Sequence, residues 1–117
     1  MGKKEERAKS YQKATKAYQK ACDLGKMAAC SRLGFLYQKG QGVGQDTFKA
    51  VKLFKNACNR RDGDGCAGIG ETHCKGLGKR KDWPKARGYF GKGCDYGSQY
   101  SCDMYGDKYD EYKKCPR

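Results

Sequence analysis

Hydrophobic residues recur along this chain at intervals of three and four positions, with lysine, glutamine and other polar residues between them. This spacing places the apolar residues on one face of an α-helix and the polar residues on the other. The two clearest stretches contain Ala14, Ala17, Tyr18 and Ala21, and then Ala50, Leu53, Phe54 and Ala57. The pattern therefore predicts an all-α protein of amphipathic helices with no β-sheet.

The pattern repeats every 36 residues, which indicates three copies of one structural unit. Two cysteine positions have this period, and so do an alanine, an aromatic and a glycine position. The equivalent residues are Cys22, Cys58 and Cys94; Cys30, Cys66 and Cys102; Ala14, Ala50 and Ala86; Tyr18, Phe54 and Phe90; and Gly34, Gly70 and Gly106. We predict one domain over residues 1–117, with repeats at about 10–45, 46–81 and 82–117.

Each repeat is predicted to be a hairpin of two helices, A and B. Asp46 and Asp82 precede helix A, where an aspartate can cap the first backbone N–H groups, and Ser10 takes this position in the first repeat. Helix A is expected to end at a glycine that can adopt a left-handed conformation. The candidates are Gly25, Gly63 and Gly97. Helix B then opens near the second cysteine of each repeat and closes at a Gly-x-Gly, which the third repeat lacks.

The cysteines fit such a hairpin. The last turn of helix A and the first turn of helix B lie side by side, so cysteines eight positions apart across the turn can reach disulfide distance. The predicted bridges are Cys22–Cys30, Cys58–Cys66 and Cys94–Cys102. Cys74 and Cys115 lie outside the period. A fourth bridge between them would tie the C-terminal segment to the second repeat, and two free thiols are the alternative.

Composition alone is typical of a disordered chain, because Leu, Ile, Val and Phe make only 12 of the 117 residues and the net charge is +13. Eight cysteines argue instead for a small domain stabilised by disulfides in an oxidising compartment. A zinc site fits less well, because ligand pairs two to four residues apart are missing and the chain has a single histidine. We expect no metal and no cofactor.

The apolar runs are too short to span a bilayer, and the first residues, MGKKEERAK, contain no hydrophobic stretch that could act as a signal peptide. Export would therefore require a signal that has been removed from this sequence. On these grounds we expect a secreted or periplasmic protein without a membrane span, and a monomer.

These motifs resemble the Sel-1-like repeat, a relative of the tetratricopeptide repeat. The best fit is KACDLGKMAACSRLGFLYQKGQGVGQD, residues 20–46. The version with two cysteines per repeat is similar to the Helicobacter cysteine-rich protein family. The resemblance implies a curved solenoid of three stacked helix-turn-helix repeats with a binding surface. The known members of that family are exported. It also implies weak penicillin binding or hydrolysis, which is attributed to some members.

The candidate partner-binding residues lie on the face of helix A that turns away from the core. A solenoid usually presents its groove there. They are Gln12, Lys16, Gln19, Phe48, Lys52, Lys55 and Trp83. Lysines beside an exposed Phe48 favour a protein or peptide partner, and an acidic one in particular. A solvated lysine face is the alternative for these positions, and packing between repeats is the alternative for Trp83.

Two other functions have some support in the sequence. Ser10 and Lys13 match the Ser-x-x-Lys of penicillin-recognising enzymes, but Ser10 aligns with the capping residues Asp46 and Asp82, so we assign no catalytic residue. The excess of lysine and arginine would also suit nucleic acid. An oxidising compartment disfavours that partner, because nucleic acid targets are scarce there.

Overall fold

The structure is a computed structural model that describes residues 3–77 and 80–105, with side chains from residue 7 onwards. Within these residues it contains six α-helices and no strand. The helices are α1 (Lys3–Asp23), α2 (Met27–Lys39), α3 (Thr47–Asn59), α4 (Gly63–Lys75), α5 (Trp83–Asp95) and α6 (Gln99–Tyr105). They form three hairpins, which confirms the predicted stack of helix-turn-helix units.

Each helix packs against the helices that precede and follow it in the chain. The B helices also contact one another directly, α2 against α4 and α4 against α6. The three B helices therefore lie side by side as one layer. None of the six helices in the described part of the chain is long and apolar enough to cross a membrane.

Aspartates cap the A helices of the second and third repeats, as predicted. The backbone N–H of Lys49 donates to Asp46 at 3.0 Å, and that of Lys85 donates to Asp82 at the same distance. The expected cap at Ser10 is wrong, because α1 begins at Lys3 and Ser10 lies inside it. Residues 3–9 are mainly Lys, Glu, Arg and Ala, which are strong helix formers, so the helix continues past the aligned position.

The turns from helix A to helix B use a left-handed residue in all three repeats. Gly25 and Gly97 have φ of 89° and 94°, as expected. The third predicted glycine, Gly63, is wrong: it is the first residue of α4, and Arg61 takes the left-handed conformation with φ of 67°. Gly63 is needed for a different reason. A Cβ there would lie 2.7 Å from the backbone oxygen of Gly93, so the glycine allows close packing against α5.

Two phenylalanines form the centre of the core, and glycines on the B helices make room for them. Phe54 and Phe90 are both fully buried. A Cβ at Gly34 would lie 2.6 Å from the Phe54 ring, and one at Gly68 would lie 2.4 Å from it. Gly70 has the same relation to Phe90, at 2.9 Å. Large rings against bare helix backbone thus fill a core that has few aliphatic side chains.

Disulfides join the two helices of every hairpin, in the three predicted pairs. The Cα–Cα distances are 4.7 Å for Cys22–Cys30, 4.6 Å for Cys58–Cys66 and 4.4 Å for Cys94–Cys102. Cys74 is buried near the C-terminal end of α4. Its predicted partner, Cys115, lies outside the described residues, as does Gly106 of the repeating glycine series.

Candidate partner-binding surfaces

The outer face of α3 combines one exposed aromatic ring with two lysines. Phe48 is 84% exposed, and Lys52 and Lys55 are exposed as well. Spacings of four and three residues place all three side chains on one face of the helix. Lys49 lies off this face, with its ammonium 4.8 Å from the centre of the Tyr37 ring. The structure thus brings together three of the predicted binding residues.

The equivalent face of α1 carries polar side chains. Gln12 and Lys16 are exposed, whereas Gln19 is half-buried and its amide donates to Asp23 at 2.9 Å. The loop that follows α2 passes close to this face. Gly42, with φ of 77°, lies against α1 so closely that a Cβ would be 2.8 Å from the backbone nitrogen of Gln12. The loop therefore borders the outer face of α1 next to Gln12.

The third repeat does not carry similar side chains on the outer face of its A helix, α5. The positions equivalent to Phe48, Lys52 and Lys55 hold Pro84, Gly88 and Gly91. Trp83, one position earlier, is half-buried, and its ring centre lies 6.5 Å from that of Phe90. Its main contact is therefore with the core of the third repeat. Of the three A helices, α3 therefore carries the combination of exposed aromatic and lysine side chains on which the predicted surface depends.

A second surface was not predicted from the sequence. It is a cleft of about 450 Å³ that crosses the layer of B helices. It is lined by Ser31, Arg32, Phe35, Lys39, Asp64, Ala67, Glu71 and Tyr100. One signal could have indicated it: equivalent positions in the repeats carry unlike residues, such as Phe35 and Glu71, or Asp64 and Tyr100. Residues that only maintain a repeat have less reason to differ in this way.

The cleft contains a buried carboxylate. Glu71 is 9% exposed, and its Oε1 pairs with the Lys75 ammonium at 2.5 Å. This hydrogen bond raises the pKa of Lys75, although partial burial opposes the shift. Burial raises the pKa of the Tyr100 hydroxyl, and the nearby Glu71 charge raises it further. Tyr100 is therefore a neutral hydrogen-bond donor at physiological pH.

The remaining candidates have simpler surroundings. Ser10 and Lys13 are exposed on α1, one helical turn apart. His73 is buried on α4, and its ring stacks on that of Tyr89 with the centres 5.9 Å apart. Within the described residues, no group of three or more His, Cys, Asp or Glu side chains is placed to hold a metal ion.

Solved structures similar to this chain contain the same kind of repeat. A Sel1 repeat protein from Oxalobacter formigenes is 29% identical with a TM-score of 0.73, over 85% of this chain and 40% of its own length. A protective antigen of uropathogenic Escherichia coli strains is 31% identical with a TM-score of 0.72, over 86% and 21%. Helicobacter pylori cysteine rich protein B is 34% identical with a TM-score of 0.67, over 80% and 70%.

This chain thus spans less than half the length of the first two of these proteins and about two thirds of the third. A search of the curated proteins found no match. The sequence model of the Sel1 repeat matches three segments, residues 5–26, 28–62 and 63–98, which together make up most of the chain. With the six helices, the bridges and the similar structures, these matches show that the chain belongs to the Sel1 repeat family.

Proposed function

We propose that this chain is an exported, disulfide-stabilised scaffold that holds an acidic, extended peptide segment of a partner protein against the outer faces of α3 and α1. The observation that carries the proposal is the exposure of Phe48 beside Lys52 and Lys55. Sel1 repeat proteins generally mediate protein interactions, which supports a partner of this kind.

The aromatic ring and the lysines would contribute in different ways. Burying a phenylalanine side chain against a partner stabilises a complex by about 1.5–3 kcal/mol. Charges at the edge of an interface mainly raise the association rate, and a chain with a net charge of +13 attracts acidic segments from a distance. Phe48 should therefore control how long the partner stays bound, and Lys52 and Lys55 how fast it arrives.

The polar side chains of α1 suit an extended backbone. Gln12 is exposed, and its amide can both donate and accept a hydrogen bond. Lys16 adds a third cation to those of Lys52 and Lys55. A peptide that runs from α3 to α1 would thus place an apolar side chain against Phe48 on α3 and its backbone against Gln12 on α1.

Export is supported by the bridges. Three disulfides persist only where thiols are not kept reduced, which is typical of secreted and periplasmic proteins. The test is the mass of the protein from its native source after alkylation without reductant. We expect no alkyl group on any of the six bridged cysteines, and six added groups would place the chain in a reducing compartment.

Peptide binding can be tested with two fluorescent probes. Both are glutamate-rich peptides of ten residues, and they differ by one central phenylalanine or alanine. Stopped-flow anisotropy should show that Phe48→Ala accelerates dissociation of the phenylalanine peptide by about tenfold. Lys52→Glu with Lys55→Glu should slow association and reduce its dependence on salt.

Matched controls exist on the same chain. Leu24 is 79% exposed in the turn between α1 and α2, so Leu24→Ala removes an equally exposed apolar side chain. Lys13→Glu with Lys20→Glu changes the net charge by the same amount at exposed positions of α1 that are not part of the proposed surface. Equal effects of control and test variants would refute the proposed surface. Tight binding of a DNA oligonucleotide that weakens steeply with salt would favour nucleic acid instead.

A further inference from the structure

The cleft across the B helices is a separate surface from the outer face of α3. Its floor contains Ser31 and Ala67, which are almost completely buried, and its walls come from α2, α4 and α6. Its volume of about 450 Å³ lies within the usual range of sites for small ligands, about 300–1,000 Å³. This volume is large enough for a small molecule.

One oxygen of a buried carboxylate is available in this cleft. The Glu71 side chain is 12% exposed, and Lys75 donates to its Oε1 only. In the described part of the chain, Oε2 has no hydrogen-bond partner. Oε2 is not among the fully buried polar atoms, so a ligand in the cleft can reach it, and an N–H donor on that ligand would form a charge-assisted hydrogen bond with the carboxylate.

The rings beside Glu71 suit a cationic donor. Tyr100 on α6 lines the same cleft as Glu71, and the Glu71 charge helps to raise the pKa of its hydroxyl. Phe35 lines the cleft from α2, and its other side packs on Phe54 with the ring centres 4.8 Å apart, so the ring is held in place. Aromatic faces attract ammonium groups, and the effect is larger in partly desolvated sites.

The opposite wall has the opposite charge. Arg32 and Lys39 line the cleft from α2 and are exposed. Among the described residues neither forms an ion pair, and the one ion pair in the cleft is that of Glu71 with Lys75. Facing walls of unlike charge are matched by a ligand that carries both signs, because a simple cation or anion would be repelled by one wall.

We propose that this cleft binds a small zwitterion of the amino acid or dipeptide class. The ammonium group donates to Glu71 Oε2 beside the ring of Tyr100. The carboxylate accepts from Arg32 or Lys39, and the apolar part of the ligand lies over Phe35. This site is independent of the peptide surface on α3, so either can be present without the other.

Isothermal titration calorimetry with three related ligands tests the site. They are the dipeptide alanyl-phenylalanine, its N-acetyl derivative, which lacks the ammonium, and its C-terminal amide, which lacks the carboxylate. We expect the zwitterion to bind about tenfold or more tightly than either derivative, as the loss of one charged hydrogen bond implies. Equal affinities for all three ligands, or no binding of the zwitterion at millimolar concentration, would overturn the proposal.

Variants identify the groups involved. Glu71→Gln should weaken the dipeptide by about tenfold and leave the N-acetyl derivative unchanged, because that ligand has no ammonium to lose. Arg32→Gln with Lys39→Gln should weaken the dipeptide but not its amide. Since Arg32 and Lys39 are exposed, this second variant keeps the test valid if Glu71→Gln disturbs the fold. Arg60→Gln is the control away from the cleft, and Phe48→Ala should not alter dipeptide binding. Loss of binding in either control would contradict the assignment.

Discussion

Phe48 and Phe54 lie six residues apart on α3, yet the first ring is 84% exposed and the second is completely buried. Phe54 fits between the bare backbones of two B helices at Gly34 and Gly68. The repeat accounts for the difference. The positions equivalent to Phe54 hold aromatic residues, whereas those equivalent to Phe48 hold a glutamine and a proline. Positions that recur build the fold, and positions that vary are available for binding.

Reduction of the disulfides should have the largest effect on stability. It should act on the buried core around Phe54 and not on the exposed face that carries Phe48. Each bridge closes a loop of about nine residues and contributes roughly 2.5 kcal/mol in the chain-entropy formula. Cys58 and Cys66 belong to the same buried cluster as Phe54. Three bridges together approach the whole stability of a small domain, about 5–15 kcal/mol. Circular dichroism should show loss of cooperative unfolding in strong reductant, and an unchanged melting curve would show that the core suffices alone.

Truncation of the two phenylalanines is the next test. Phe54→Ala should lower the free energy of unfolding by about 3–5 kcal/mol, because it leaves a cavity under α2 and α4. Phe48→Ala should change it by less than about 0.5 kcal/mol, since the ring is in water. Urea denaturation measures both. Similar losses for the two variants would break the distinction between inner and outer faces.

The glycines around Phe54 give a smaller but more specific effect. A Cβ at Gly68 would lie 2.4 Å from a ring that cannot move away, so Gly68→Ala should cost about 1–3 kcal/mol. The control is Gly88 on α5, where a Cβ would meet nothing within 4 Å. Gly88→Ala should stabilise the helix by up to about 1 kcal/mol. Stabilisation by both substitutions would mean that Phe54 is loosely packed.

The left-handed turn of the second repeat allows the smallest change. Arg61 adopts φ of 67°, which is unfavourable for a residue with a side chain, whereas Gly25 and Gly97 hold this position elsewhere. Arg61→Gly should therefore raise the free energy of unfolding by up to about 1 kcal/mol. Arg60→Gly should give no gain, because Arg60 has φ of −97°. A loss in the first variant would show that the Arg61 side chain makes a contact worth more than the strain.

The period of 36 residues was sufficient to predict the hairpins, the two aspartate caps and the three bridges, because each depends on residues close in sequence. Two local predictions failed for physical reasons. The cap at Ser10 failed because residues 3–9 also favour a helix. Gly63 fits the left-handed position by residue type, although the period assigns that position to Arg61. The cleft depends on how three separate B helices pack, which spacing along the chain does not describe.

The most direct test of the central claim measures folding and binding on the same samples. Unfolding in urea and affinity for the phenylalanine-containing acidic peptide would be compared for the unmodified chain, Phe48→Ala and Leu24→Ala. We expect Phe48→Ala to keep the free energy of unfolding within about 0.5 kcal/mol while peptide affinity falls about tenfold, and we expect Leu24→Ala to change neither. Unchanged affinity in Phe48→Ala, or a loss of affinity that follows a loss of stability, would contradict it.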